Sequence, residues 1–354
     1  MKIELGISTF GETTPLAETK KLISHPERIR NMIEEIELAD KVGLDIYAIG
    51  EHHREDFAVS MPEIILAAGA VNTKNIKLSS AVTVLSSSDP IRIYQAFSTI
   101  DALSNGRSEI MVGRGSFTES FPLFGYFLKD YDELFEEKLD MLQAINANEK
   151  LDWKGRLTHD VNNRGIYPRV ENGLPIWVAT GGNPHSIVAI ARRELPIVFA
   201  TIGGDPLRFK SLVTIYRSAW KSFGNDWSKL RIAGHSWGWI EEDDQKAKDN
   251  YFIPVKQLVD TIAKDRRTWT EMTREQYDFE VSEEGAIFAG SPETVAKKII
   301  RIMEGLELDR FMLHLPVGSM AHEKTLKAIE LVGTKVAPIV REYFQNKEFV
   351  REIK

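Results

Sequence analysis

The stretch Ile76-Lys77-Leu78-Ser79-Ser80-Ala81-Val82-Thr83-Val84-Leu85 is followed by Ser86-Ser87-Ser88-Asp89-Pro90 and then by a helical pattern that runs to Ser104-Asn105-Gly106. The first run is rich in small and β-branched residues and reads as a strand. Asp89-Pro90 places a capping side chain before a proline suited to the first helical turn. Ser108–Val112 follows as a second strand, so the segment is a strand, a helical crossover and another strand.

The same alternation extends in both directions. Candidate strands are Ile3–Thr9, Asp45–Gly50, Ile76–Leu85, Ser108–Val112, Ile176–Ala179, Ile197–Ile202, Arg231–Ile240 and Asp309–Leu315, a tally of eight. Between them Ile29, Ile33, Ile36 and Val42 fall near helical spacing, as do Tyr131, Leu134, Phe135, Leu139 and Leu142. Asn183-Pro184 and Ser291-Pro292 repeat the capping signature. Eight strands in alternation with helices predict an α/β fold of the (β/α)8 barrel class, with catalytic groups at the C-terminal strand ends. A doubly wound open sheet fits the same alternation.

Two regions break the rhythm. Asn148–Leu174 is rich in Gly, Asn and Pro and reads as a loop or small hairpin. Asp243–Ala289 runs through Arg266-Arg267-Thr268-Trp269 and is too long for an ordinary strand–helix connection, so residues 243–289 are expected to be an insertion or lid over the site. No repeat, linker or composition shift divides the chain, and residues 1–354 are expected to form one domain.

Composition narrows the chemistry. The 354 residues are 43% hydrophobic and 27% charged, as in an ordinary globular protein. Forty-five basic against 52 acidic side chains leave a net charge of −7, the wrong sign for a nucleic-acid partner. The count of cysteines is 0, which excludes disulfides, thiolate metal sites and a cysteine nucleophile. The start Met1–Gly6 lacks a signal-peptide pattern and no apolar run is long enough to span a bilayer, so a cytoplasmic protein without a membrane partner is expected.

Four strand ends carry candidate chemistry. Glu51-His52-His53-Arg54-Glu55-Asp56 closes the second strand, and a histidine there can move protons near neutral pH; a solvated charged loop is the plainer reading. No second cluster with ligand spacing accompanies it, so no metal is expected. Ser80, Ala81 and Thr83 leave room for a flat ligand, although barrels need small interior residues anyway. Gly113-Arg114-Gly115 combines close backbone approach with a planar fork of donors for phosphate; an arginine at that place can equally pair with an acidic neighbour. Thr180-Gly181-Gly182-Asn183-Pro184-His185-Ser186 opens a helix whose free N–H groups suit an anion, or is an ordinary tight turn.

Glu51-His52-His53, Ser80-Ala81-Val82-Thr83-Val84-Leu85, Asp89-Pro90-x-Arg92, Leu103-Ser104-Asn105-Gly106-Arg107, Gly113-Arg114-Gly115 and Phe124-Gly125 together resemble bacterial luciferase-like flavin-dependent monooxygenases. Ile176–Ser186 and Gly290-Ser291-Pro292-Glu293-Thr294-Val295 extend the resemblance over nearly the whole chain. It implies a (β/α)8 barrel and an oxidoreductase that takes reduced FMN from a separate NAD(P)H:flavin reductase. With O2 the flavin forms a C4a-peroxyflavin, which oxygenates a small organic substrate.

Position by position, the resemblance assigns His52 as the catalytic histidine and Arg114 as a phosphate ligand. It places a second phosphate contact at Gly181, Gly182 and Ser186, and the flavin ring against Ala81, Val82, Thr83 and Gly113, with a cis peptide at Ala81-Val82. Light-emitting members carry a cysteine where this chain has Gly113, so light emission is not expected. A pocket for a largely apolar substrate would draw on Phe10, Phe117 and Trp239, and the family's habit implies a homodimer. A deazaflavin (F420)-dependent reductase and a non-catalytic flavin-binding subunit are the alternatives on the same fold.

Overall fold

The computed structural model describes residues 3–115, 117–265, 269–345 and 347. Nine parallel strands dominate it: β1 (Glu4–Thr9), β2 (Ile46–Ile49), β3 (Lys77–Ser80), β4 (Ser108–Gly113), β5 (Ile176–Thr180), β6 (Ile197–Ala200), β7 (Ile232–Ile240), β8 (Ile287–Gly290) and β9 (Arg310–His314). Eight of them close a ring in the order β1-β2-β3-β4-β5-β6-β7-β9 and back to β1. This is the (β/α)8 barrel, and the ring strands are the eight expected from sequence.

β8 is the strand that the sequence reading missed. It pairs with the upper part of β7 from Trp237↔Ile287 to Ile240↔Gly290, while the lower part of β7 pairs directly with β9. β7 can serve three neighbours because it is nine residues long and buried throughout. β8 escapes a sequence reading because Ile287-Phe288-Ala289-Gly290 is only four residues long and directly follows the bend at residues 282–286.

Helices cover the outside of the ring: α1 (His25–Lys41), α2 (Pro62–Asn72), α3 (Pro90–Ser104), α4 (Tyr131–Ala147), α5 (Pro184–Arg192), α6 (Lys210–Ser222), α7 (Asp244–Asp265), α8 (Arg274–Glu280), α9 (Pro292–Leu306) and α10 (His322–Leu331). The caps are as the sequence predicts. Asp89 accepts from the N–H groups of Ile91 and Arg92, Asn183 from His185, and Ser291 from Thr294. In α1 the buried face is rotated from the expected one: Met32, Ile36 and Ala39 face inward while Ile29 is exposed. Arg28 and Glu35 are buried on that face too, joined at 2.6 Å, with the Tyr47 hydroxyl donating to Glu35 at 2.7 Å.

The expected loop or hairpin at 148–174 holds an antiparallel pair, Lys150–Trp153 with Val161–Gly165. Segment 243–289 holds α7, α8 and the start of β8, and Trp269 within it lies 6.3 Å from Trp237 at the top of β7. Arg266, Arg267 and Thr268 of that stretch, like Ser116, lie outside the described residues. Among the described residues no helix is long and apolar enough to cross a membrane.

The core has two parts. The larger fills the space between strands and helices. The smaller is the barrel interior, where Ile46, Ala48, Ala81, Met111, Trp177, Val198, Ala233 and Met312 meet. Below them Arg310 plugs the N-terminal end: it binds Glu4 at 2.5 Å and Glu109 at 2.7 Å, and its guanidinium lies 4.2 Å from the centre of the Trp177 ring. A polar plug at one end and small residues toward the other leave the C-terminal mouth as the place for a ligand.

Candidate active site

The mouth is organised by the break after β3. The expected strand Ile76–Leu85 is interrupted: Lys77–Ser80 pairs with β2 and β4, and Thr83–Val84 pairs with the end of β4, through Thr83↔Val112 and Val84↔Gly113. Between them the Ala81–Val82 peptide is cis. Ala81 N–H donates to Ile49 at 2.7 Å and Val82 carbonyl accepts from Glu51 N–H at 3.3 Å. Glu51 then returns through its side chain, accepting from Val84 N–H at 2.8 Å. Its other oxygen meets His53 Nε2 at 2.8 Å, so Glu51 tethers the His52 loop to the segment beyond the cis bond.

His52 sits in an aromatic box. Its ring centre is 4.9 Å from Phe10, 4.4 Å from Phe57 and 4.9 Å from Phe117. His52 Nδ1 lies 3.4 Å from Glu119 Oε1, and the same oxygen accepts from His53 N–H at 3.3 Å. Glu119 precedes the single helical turn Ser120–Leu123, which is held by a 2.8 Å bond from Ser87 to Ser120. Burial pushes the Glu119 carboxyl up, but the bonds from His52 and from backbone N–H groups outweigh it and leave it below the usual range. Glu119 is thus an anion placed to orient the His52 imidazole. Of the three residues expected to line a substrate pocket, Phe10 and Phe117 pack around His52, whereas Trp239 packs elsewhere, stacked on Tyr251 and donating to Glu241 at 2.8 Å.

Gly113 faces Val82 across the strand pair. A Cβ at Gly113 would come within 2.8 Å of Val82 Cγ2, so only glycine lets the two segments close. Thr83 Oγ1 is buried and has no hydrogen-bond partner among the described residues. His52, Ala81, Val82, Thr83 and Gly113 are therefore brought together at adjoining strand ends.

Arg114 is placed beside them but is already engaged. Its NH2 donates to Glu136 at 2.5 Å, its Nε lies 3.0 Å from Asp132, and its guanidinium lies 4.3 Å from the Phe135 ring centre. Glu136 is shared with Arg193 at 2.7 Å. The acidic-neighbour reading of this arginine is present in the structure, and an incoming phosphate would meet Arg114 with two carboxylates at its side.

Gly181, Gly182 and Ser186 lie one strand further on, β5 being the neighbour of β4. Gly182 has φ +108° and its N–H is taken by Thr180 Oγ1 at 3.2 Å, which turns the chain sharply into α5. Nothing stands within 4 Å of a Cβ built on Gly181, so the approach to the start of α5 is open.

The sequence reading missed Glu119 and a second polar group, Ser8, Glu12, His235 and His314. Ser8 Oγ is 2.7 Å from His235 Nε2 and 3.4 Å from His314 Nδ1, and His314 Nε2 is 2.6 Å from Glu12 Oε1. Phe10 touches this group as well, 4.2 Å from His314 between ring centres. The available signal was a histidine two residues after an inward apolar one, at Ala233-Gly234-His235 and Met312-Leu313-His314. Glu119 carried no such signal, because nothing in a loop sequence says which carboxylate folds back.

A family model described as luciferase-like monooxygenase matches residues 3–310. An N-acetyl-S-alkylcysteine monooxygenase of Bacillus subtilis is 26% identical over 334 residues, covering 90% of this chain and 93% of its own. Among solved structures, the oxygenating constituent of 3,6-diketocamphane monooxygenase from Pseudomonas putida, a type II Baeyer-Villiger monooxygenase in complex with FMN, superposes with a TM-score of 0.73 at 20% identity, covering 96% of this chain and 99% of its own. A coenzyme F420 dependent tetrahydromethanopterin reductase from Methanopyrus kandleri superposes with a TM-score of 0.70 at 17% identity over 96% and 99% of the two chains.

Proposed function

The chain belongs to the luciferase-like monooxygenase family, and from that premise we propose that it is a flavin-dependent monooxygenase using reduced FMN and O2 on a small, largely apolar organic substrate. The observation that carries the reading is the convergence of His52, the cis Ala81–Val82 segment, the orphan Thr83 hydroxyl and Gly113 at adjacent strand ends. A flat ring system fits against Ala81, Val82 and Gly113, where side chains are small. The ribityl phosphate fits the turn Gly181, Gly182 and Ser186 at the start of α5, with Arg114 as a second contact shared with its carboxylates.

Reduced flavin, when bound, supplies the electrons and activates oxygen. The protein's own contribution is to orient and to exclude water. Phe10, Phe57 and Phe117 wall His52 off from solvent, and Glu119 holds the imidazole at Nδ1. That leaves Nε2 to exchange a proton with the bound reactants. Trp269, packed near Trp237, supports a role for residues 243–289 as a cover on the β7 side within one 354-residue domain.

The oxygenating-constituent relative supports a separate NAD(P)H:flavin reductase as electron donor. Met61, Ile64 and Val71 on or beside α2 and Leu103 on α3 are exposed apolar residues, and they support a homodimer through this face. A cytoplasmic location suits an enzyme that needs such a reductase.

The test is rapid mixing of the protein and FMNH2 with oxygenated buffer, followed by flavin absorbance. Reoxidation clearly slower than that of free FMNH2 is the expected result. Reoxidation at the free rate, together with hydride transfer from reduced F420, would replace this reading by the deazaflavin one.

A further inference from the structure

Ser8, His235 and His314 lie on three neighbouring ring strands, β1, β7 and β9. His235 is two residues beyond Ala233, and His314 two beyond Met312, both members of the interior cluster; strand alternation therefore turns the two imidazoles into the barrel. Their links run without a gap: Glu12 Oε1 to His314 Nε2 at 2.6 Å, His314 Nδ1 to Ser8 Oγ at 3.4 Å, Ser8 Oγ to His235 Nε2 at 2.7 Å. Ser8 and the two imidazoles can both give and take a proton, and Glu12 anchors the far end as an acceptor.

The two ends differ. Glu12 and His314 are each about 1% exposed at the side chain. A carboxylate buried so deeply is costly unless it is compensated, and Glu12 is met at 2.6 Å by the His314 ring and is also held down by the charge of Arg28. At the other end His235 keeps 8% of its surface accessible, and its Nδ1 has no hydrogen-bond partner among the described residues. The chain therefore begins at a buried carboxylate–imidazole pair and ends at an imidazole nitrogen that no described residue binds.

We propose that Glu12, His314, Ser8 and His235 form a proton relay whose delivery atom is His235 Nδ1, protonating an anion that develops on the substrate. The transfer balances. His235 gives its Nδ1 proton to the substrate oxygen and takes the Ser8 hydroxyl proton at Nε2, while Ser8 takes the Nδ1 proton of His314. His314 ends neutral, still donating from Nε2 to Glu12; after product leaves, a solvent proton taken at His235 Nδ1 sends the Nε2 proton back to Ser8 and the Ser8 proton back to His314 Nδ1, which restores the starting state. The site then holds two imidazoles with separate tasks, His52 and His235, with Phe10 in contact with both His52 and His314. The proposal rests on the reading that this barrel mouth turns over a substrate.

The electrostatics agree. Burial, reinforced by the His314 charge, holds the His235 imidazole down at about 3, so His235 rests neutral, with one ring nitrogen free to accept from Ser8. Burial pushes the Glu12 carboxyl up, but His314 outweighs it and Glu12 stays an anion. Arg28 is the other cation whose charge acts on Glu12, and the Glu12 charge in turn raises the buried Tyr47 and Tyr251 hydroxyls.

The test is 15N-histidine NMR of the flavin-free protein near pH 7. Wild type should show His314 doubly protonated and His235 in the Nδ1–H tautomer. An Nε2–H tautomer at His235, or a neutral His314, overturns the proposal without any variant. Glu12→Gln should discharge His314 and shift the His235 nitrogen signals although it does not touch His235. In a Ser8→Ala background the same Glu12→Gln change should leave His235 unmoved, and Ser8→Thr should restore the coupling. A His235 response that survives Ser8→Ala would make the network a packing device and sink the relay. No arm uses flavin, oxygen or substrate, so the relay and the monooxygenase reading fail independently.

Discussion

Glu119 Oε1 stands 3.4 Å from His52 Nδ1 and binds the next residue's N–H at 3.3 Å, so one carboxylate fixes both the ring and the backbone of the loop that carries it. The contact joins two residues 67 positions apart in the chain and holds the imidazole in one orientation.

It predicts a split between the two side chains. His52→Ala should lower turnover by about 10²-fold or more, the range for losing a general acid or base, while flavin affinity changes little. Glu119→Gln keeps the size of the side chain and should cost less in kcat, with KM nearly constant. Steady-state kinetics beside flavin titration decide it; equal loss of flavin binding in both variants would make His52 a structural residue.

Arg114 predicts a cofactor discrimination. With the guanidinium between Asp132, Glu136 and the Phe135 ring, Arg114→Ala should weaken FMN more than riboflavin, by about tenfold in Kd, or ~1.4 kcal/mol. Fluorescence titration with both ligands measures the ratio. Equal losses would confine Arg114 to its ion pairs.

Gly113 predicts a steric effect. A methyl group there meets Val82 Cγ2 at 2.8 Å. Gly113→Ala should therefore displace Val82, at a cost of about 1–3 kcal/mol in stability as in other overpacked sites. Flavin affinity should fall with it. Urea unfolding and flavin titration report the two; an unchanged Kd would mean that the ring does not lie on Val82.

The Arg310 plug predicts acid sensitivity. Burial pushes the Glu109 and Glu4 carboxyls up, but Arg310 and Lys77 outweigh it and leave both lowered. Carboxylates lowered in the folded state add stability above their unfolded values, and that stability is lost as pH falls through the folded ones. Tm should therefore drop steeply below about pH 4.5, the region where unfolded carboxylates begin to protonate. Glu109→Gln should lower Tm at pH 7, since breaking a buried pair costs about 3–5 kcal/mol, and should flatten the acid limb. Scanning calorimetry from pH 7 to pH 3 checks both; a parallel shift of the whole curve would remove Glu109 from the pH dependence.

What could be read from the chain alone is what depends on near neighbours. Asp89, Asn183 and Ser291 cap the helices they precede because a cap needs only the next few residues. The eight ring strands are legible because each is an apolar run between turns, and parallel closure follows from the alternating helices. The mouth residues His52, Ala81, Val82, Thr83 and Gly113 were visible as unusual strand ends and through a family resemblance.

What tertiary structure decided is pairing at a distance. β8 could not be told from a loop until β7 extended past β9 to receive it. Arg114 offered the same fork to a phosphate and to a carboxylate, and only the docking of α4 brought Glu136 to it. Glu12 and His314 lie 302 positions apart and became partners because the last ring strand closes against the first. Local sequence encodes which groups a segment carries and how it curls, whereas the face across from a side chain is set by ring closure, and there the chemistry of this barrel is assembled.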